Sequence, residues 1–359
     1  MIRRLSNDKF QLKSITKLME DLDVSDEAKN KVWRRIRNDI PSMAEFQVLS
    51  DEDECDILLI NMEEQGIVVV TVEGGYGMFQ PVFLPMSGKR MRAVLDKEEM
   101  LHIFVVRNDR LWHVQEKAPH SRLFTEPEEM EYVRPNGFKG VANLLVHRLS
   151  ADKGFVVGVV TETHNASYWV SYRVWEEGSF FNLIQSSFSS AMMDFAGTDV
   201  NELSLECLSG TYTSFSVAQR KVKWSYRLEL NKGDEVECLC TYGKEVFALL
   251  KGDGGHVPVE IRTDKTDSKA RAVELTRKGC YQSLSMYTDA DGKPYMALSG
   301  ERLDYLRLEK NEEGYGCVEM MPLDKACTRM SFNGNPKCQR LFYLTDDGKV
   351  HVLENQDNV

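Results

Sequence analysis

One fourteen-residue window, ending each time on glutamate, recurs along this chain and constrains its fold more than any other feature. It reads IFVVRNDRLWHVQE at 103–116, FALLKGDGGHVPVE at 247–260, MALSGERLDYLRLE at 296–309 and LFYLTDDGKVHVLE at 341–354. INMEEQGIVVVTVE (60–73) and SVAQRKVKWSYRLE (216–229) follow it more loosely, and a longer version runs from FVVGVV (155–160) to YWVSYRVWE (168–176). Each window spells a short apolar run, a turn of Asp, Asn, Gly or Lys, and then alternating apolar and polar residues. That is a buried strand, a hairpin turn and a half-buried strand. Asp347-Gly348, Asp253-Gly254 and Gly300 are read as residues that accept the positive φ of tight turns.

The closing glutamates are Glu73, Glu116, Glu176, Glu229, Glu260, Glu309 and Glu354. Their intervals of 43, 60, 53, 31, 49 and 45 residues average about 47, the size of one four-stranded propeller blade. The windows resemble the repeats of the β-propeller superfamily, in the loose strand–turn–strand pattern of quinoprotein-type and WD-type blades, over roughly residues 55–356. The chain has no Trp-Asp dipeptide and no sialidase Asp-box. The resemblance implies an all-β propeller, with seven blades expected and six or eight as alternatives. The 60-residue interval is assigned an insertion at Thr125–Phe138.

The first 45 residues read differently. Leu12, Ile15, Leu18, Met19 and Leu22 recur at helical spacing. Ser25 is a fitting N-cap for a second helix carrying Ala28, Val32 and Ile36, which Ile40-Pro41 ends. The expected organisation is a helical hairpin over 1–45, an acidic linker over 46–54 and the propeller over 55–359.

With 45 Lys and Arg against 56 Asp and Glu, the net charge is −11, which opposes nonspecific nucleic-acid binding. Residues 1–45 alone are net positive, with ten basic and eight acidic side chains, so nucleic-acid contact is restricted to the N-terminal helices. No apolar stretch backs the early Arg3-Arg4 pair as a secretory signal requires. The longest apolar run, about six residues, falls short of the ~18–20 of a membrane span. Cytoplasm is the expected compartment, with the nucleus as alternative, and no membrane association is expected. The eight cysteines are read as reduced, mostly buried thiols, Cys238-x-Cys240 being too closely spaced for a zinc knuckle.

No motif of a catalytic nucleophile, phosphate loop or metalloprotease is present, and no cofactor or metal is expected. The aligned glutamates are read as solvated strand ends, and His113, His256 and His351 as strand-face residues rather than a metal site. Trp112, Trp169, Trp175 and Trp224 are assigned to packing.

The function expected is a non-enzymatic scaffold that binds a protein partner through propeller loops and the N-terminal helices. The alternatives are a hydrolase or lyase with its site at the propeller axis, and a glycan-binding lectin. Candidate partner-binding residues are Trp33, Arg34, Arg35 and Arg37 on the second helix, and Phe188, Met192 and Met193 in the segment 185–193. The long loops Thr125–Phe138, Phe180–Asn201 and Arg262–Gly279 are the candidate contact regions.

Overall fold

The computed structural model describes residues 2–4, 43–51, 55–62, 66–73, 77–78, 82–150, 153–176, 179–264, 266–288, 292–323, 326–327, 329–335, 337–345 and 350–355, and among them there is no α-helix. After β1 (Ile2–Arg4), one sheet holds β2 (Met43–Ser50), β3 (Asp56–Met62), β4 (Gly66–Glu73) and β5 (Gly77–Met78), with β6 (Val82–Leu84) also paired to β4. The next holds β7 (Arg90–Leu95), β8 (Leu101–Arg107), β9 (Arg110–Gln115) and β10 (Glu128–Met130). A third holds β11 (Phe138–Arg148), β12 (Phe155–Thr163), β13 (Tyr168–Glu176) and β14 (Ser179–Phe188).

Two further meanders follow. The first is β15 (Met193–Ala196), β16 (Ser204–Leu208), β17 (Thr211–Ser216) and β18 (Lys221–Glu229). The second is β19 (Glu235–Tyr242), β20 (Glu245–Gly252), β21 (Gly255–Asp264) and β22 (Lys269–Glu274). Then come β23 (Tyr281–Thr288), β24 (Pro294–Gly300), β25 (Leu303–Asn311) and β26 (Gly314–Leu323). The last sheet has β27 (Arg329–Phe332), β28 (Arg340–Leu344) and β29 (Val350–Asn355), and β1 completes it by antiparallel pairing of Ile2 with Asn355 and Arg4 with Leu353.

The architecture is thus all-β, a propeller-like arrangement of small sheets. The expectation of seven separate blades is corrected: the described residues form six sheets, and one of them has eight strands. The cause is local. β18 and β22, the last strands of neighbouring meanders, pair in parallel at Arg227–Lys269, Leu228–Ala270 and Glu229–Arg271. At the other side of the same sheet, Thr241 on β19 donates from its N and Oγ1 to Asp194 Oδ2 on β15, at 3.0 and 2.9 Å, so the eight strands nearly close on themselves.

Two compact units are present: residues 1–130 with 287–293 and 324–359, and residues 131–286 with 294–323. In the first, β3 is buried along its whole length. Its alternate residues divide between two clusters. Leu58, Ile60 and Met62 pack with Phe342, Leu344 and Val352, while Ile57 and Leu59 pack with Met91, Ile103 and Val105. A strand covered on both faces needs apolar residues at every position, which is why the windows open on unbroken runs. In the second unit β20 repeats the division. Val246, Ala248 and Leu250 face Val257, Val259 and Ala270, and Phe247 and Leu249 face Met296, Leu298 and Leu306. Each of the Val, Leu, Ile, Phe and Met side chains among them contributes roughly 1.5–3 kcal/mol by burial.

The windows map onto the second and third strands of each meander, with one exception. Residues 216–229 fall on the end of β17 and on β18, one strand later than the rest. Ser216, not Glu229, occupies the equivalent place, and this slip explains the short 31-residue interval. Residues 125–138 contain β10, so they hold a fourth strand as well as a loop.

Gly254 has φ +87°, as its turn requires. Gly300 does not need a positive φ; a Cβ there would stand 1.9 Å from the Cys280 carbonyl oxygen. Backbone cannot yield as a flexible side chain does, so Gly300→Ala is expected to destabilise the second unit by about 1–3 kcal/mol. Urea unfolding midpoints matching wild type would contradict this.

The expected helical hairpin lies outside the described residues, except that Ile2–Arg4 form a strand and β2 begins at Met43. Residues 46–50 belong to β2 rather than to a linker. They pair with Asp56–Ile60, and Phe46 and Val48 join the core. Apolar residues alternating in FQVLS carry that strand, and the acidic run after it does not extend back to them.

Candidate interaction surface

Trp33, Arg34, Arg35 and Arg37 lie outside the described residues. Phe188, Met192 and Met193 do not form an exposed surface. Met193 is buried with Phe195 and Leu205, and Phe188 packs edge-on against Phe215 at 5.7 Å. Met192 is partly buried against the cluster of Leu208, Tyr212 and Val246. Serines made this stretch look solvated, but they cap turns: Ser190 Oγ donates to the Leu208 carbonyl and accepts from Met192 N. The expected long loops also contain strand: 180–201 hold most of β14 and all of β15, and 262–279 hold the end of β21 and all of β22.

The histidines go to separate sheets. His113 is on β9, His256 on β21 and His351 on β29, and no group of three or more His, Cys, Asp or Glu able to hold a metal ion occurs among the described residues. All eight cysteines are free; Cys207 and Cys327 are buried, whereas Cys280 is exposed. Burial pushes the Cys207 thiol up to about 12 and Cys238 up to about 11, so both stay protonated and unreactive at neutral pH.

The glutamates divide. Glu229 and Glu309 are solvated, as expected, but Glu116 and Glu260 are buried. Glu260 accepts from Arg262 Nε at 2.7 Å and from Tyr315 N at 2.8 Å. It ties β21 to β26. Other buried polar groups are also consumed by their neighbours. Asp96 accepts from the amides of Glu98 and Met100, and a chain of contacts runs from Asp96 Oδ2 to His102 Nε2 (3.2 Å) and from His102 Nδ1 to His113 Nε2 (3.0 Å). His113 stacks on Phe104 at 4.7 Å. Such networks fix strand positions; they present no reactive group to solvent.

Glu116 does something different. It directly follows β9 and accepts Leu101 N at its Oε2 (3.0 Å), while its Oε1 accepts both Arg122 N and Arg122 Nη1 (2.8 Å each). Arg122 Nε reaches on to Thr71 Oγ1 on β4 at 2.8 Å. The intervening loop is thereby fastened at its far end. Lys117 N bonds the Leu123 carbonyl at 2.7 Å, Ser121 N bonds that of Ala118, and His120 Nδ1 stands 3.3 Å from Asp51 Oδ2. His120 and Arg122 have φ of +56° and +51°, a conformation non-glycine residues adopt only when their surroundings enforce it. Phe124 turns inward to the core, and Leu123 between the two anchors is 64% exposed, the most exposed large hydrophobic among the described residues. Composition gave no hint of this loop. Glu116 was marked by its place in the repeat, but its partner is visible only in space.

No helix among the described residues is long and apolar enough to cross a membrane. No protein-family model matches this chain, and no curated protein matches it in sequence. The crystal structure of BBS1N in complex with ARL6DN, soaked with mercury, resembles it with a TM-score of 0.57 at 10% identity, over 88% of this chain and 94% of that one. At that identity the likeness concerns the fold.

Proposed function

We propose that this chain is a protein-binding propeller whose loop from Lys117 to Phe124 is a contact site for a macromolecular partner. One observation carries the reading: an enclosed Glu116–Arg122 ion pair holds two residues at positive φ, and what it holds out to solvent is a leucine. A loop with no partner needs neither the strained backbone nor the apolar tip; glycine or asparagine and a polar side chain would serve. A rigid loop also loses little conformational entropy on docking. The fold relative BBS1N was solved with another protein, ARL6DN, which is in keeping with a propeller that binds protein. On the sequence argument alone, Trp33, Arg34, Arg35 and Arg37 are proposed as a second contact.

The test is a photo-crosslinking amino acid at position 123, compared with the same group at exposed Asn136, in the cell of origin. A discrete protein adduct is expected from position 123 and not from 136. Capture of that protein should fall at least ten-fold in Leu123→Asp and be kept in Leu123→Met. Equal adducts from both positions, or capture unchanged by Leu123→Asp, would reject this surface.

A further inference from the structure

β18 is the outermost strand of its meander. On one side it pairs with β17 from Thr211 to Ser216; on the other it meets β22 only at Arg227–Glu229. The remaining six residues, Lys221–Tyr226, have no strand on their outer side among the described residues, a free edge of ~20 Å. Arg220, Lys221 and Lys223 are exposed and make no ion pair among the described residues; Lys223 Nζ only approaches the Glu202 carbonyl at 3.5 Å. This is a cationic edge on a chain of net charge −11. The nearest acid on the strand, Glu229, is engaged by Lys269 and Arg271.

We infer that the Lys221–Tyr226 edge receives an extended acidic segment of a partner protein as an added β-strand. Strand addition supplies main-chain hydrogen bonds, and alternate side chains supply specificity. Val222, 51% exposed, offers an apolar contact beside the lysines. Trp224 stacks with Tyr226 at 6.4 Å and lies under Lys223 Nζ, so the face beside the lysines also carries aromatic surface.

Lysines and a bulge, here at Lys223 on β18, which is left without a β17 partner between the pairs Ser214–Trp224 and Phe215–Val222, also protect an edge from pairing with copies of itself. Both effects follow from one charge pattern. Like charges repel a second basic edge, and opposite cross-strand charges favour an acidic one.

This inference shares with the proposed function the premise that the chain binds polypeptides, but it concerns a separate surface. Phage-displayed random heptapeptides would be selected on the full chain, on Lys221→Glu/Lys223→Glu and on Leu123→Asp. Wild type and Leu123→Asp should enrich the same peptides, with Asp or Glu alternating with apolar residues and no internal proline. A synthetic enriched peptide should bind the double lysine variant at least ten-fold more weakly. N-methylation of one alternate set of its amides should cost at least ten-fold, and of the other set little. The inference is overturned if no acidic alternating peptides emerge, if the lysine variant binds them equally, or if both N-methylated forms bind like the parent. Loss of binding in Leu123→Asp alone would assign the peptides to the other loop and also overturn it.

Discussion

Arg340→Ala is expected to lower the unfolding free energy by about 3–5 kcal/mol, because it strands a buried carboxylate. Arg340 Nη1 lies 2.8 Å from Asp56 Oδ2, and Asn333 Nδ2 donates to Asp56 Oδ1 at 2.9 Å. Asp56 is wholly enclosed. Burial already lifts its carboxyl above the ordinary value, against the opposing pull of Arg340 and Asn333. Without the guanidinium, burial acts almost alone and Asp56 takes up a proton at higher pH. A group whose folded pKa is raised contributes stability that grows as pH falls through that pKa. The deficit of Arg340→Ala relative to wild type should therefore narrow in acid. Asp56→Asn with Arg340→Met removes both charges and should recover most of the loss. Urea unfolding of wild type, Arg340→Ala and the double variant measures this; Arg340→Ala within 1 kcal/mol of wild type would count against it.

Acid should weaken the sheet of β7–β10 in a defined window. Burial, and to a lesser degree His102, lowers His113 to about 3 from its usual 6.5. The unfolded chain therefore binds a proton between those values that the folded chain refuses, and stability falls as pH drops below 6.5. At 1.36 kcal/mol per unit the full loss approaches about 5 kcal/mol near pH 3. Asp96 acts in the same direction. Its burial would raise it, but hydrogen bonds from His102, Met100 and Glu98 outweigh that and hold the carboxyl below its usual value. His113→Gln should remove most of the histidine part of the slope while costing stability at neutral pH. A histidine resonance of wild type assigned to residue 113 and titrating near 6.5 would refute the mechanism.

What was legible in the sequence is what depends on one strand's own surroundings. A strand between two sheets must be apolar at every position, so β8, β12, β20, β24 and β28 announce themselves in IFVV, FVVGVV, FALL, MALS and LFYL, and the hairpins follow from their turn residues. That periodicity carried the all-β, propeller-like reading. It failed where one chemistry serves two environments. Glu229 and Glu260 both end an alternating run, yet the first is solvated and the second buried, because Arg262 and Tyr315 N happen to meet only the second. Met193 follows a serine-rich stretch and still lies in the core, since the turn geometry of Ser190 points the following residues inward.

By itself the sequence determined the strand-turn-strand unit and its repetition, since both follow from local burial and turn chemistry. Only the tertiary structure decided that two meanders fuse through β18 and β22, that β1 completes the last sheet, and that Arg122 reaches back to Glu116 and Thr71. These are pairings between residues distant in the chain or matched across separate strands. Their energies depend on distance and shielding from water, which no local pattern of residue types encodes.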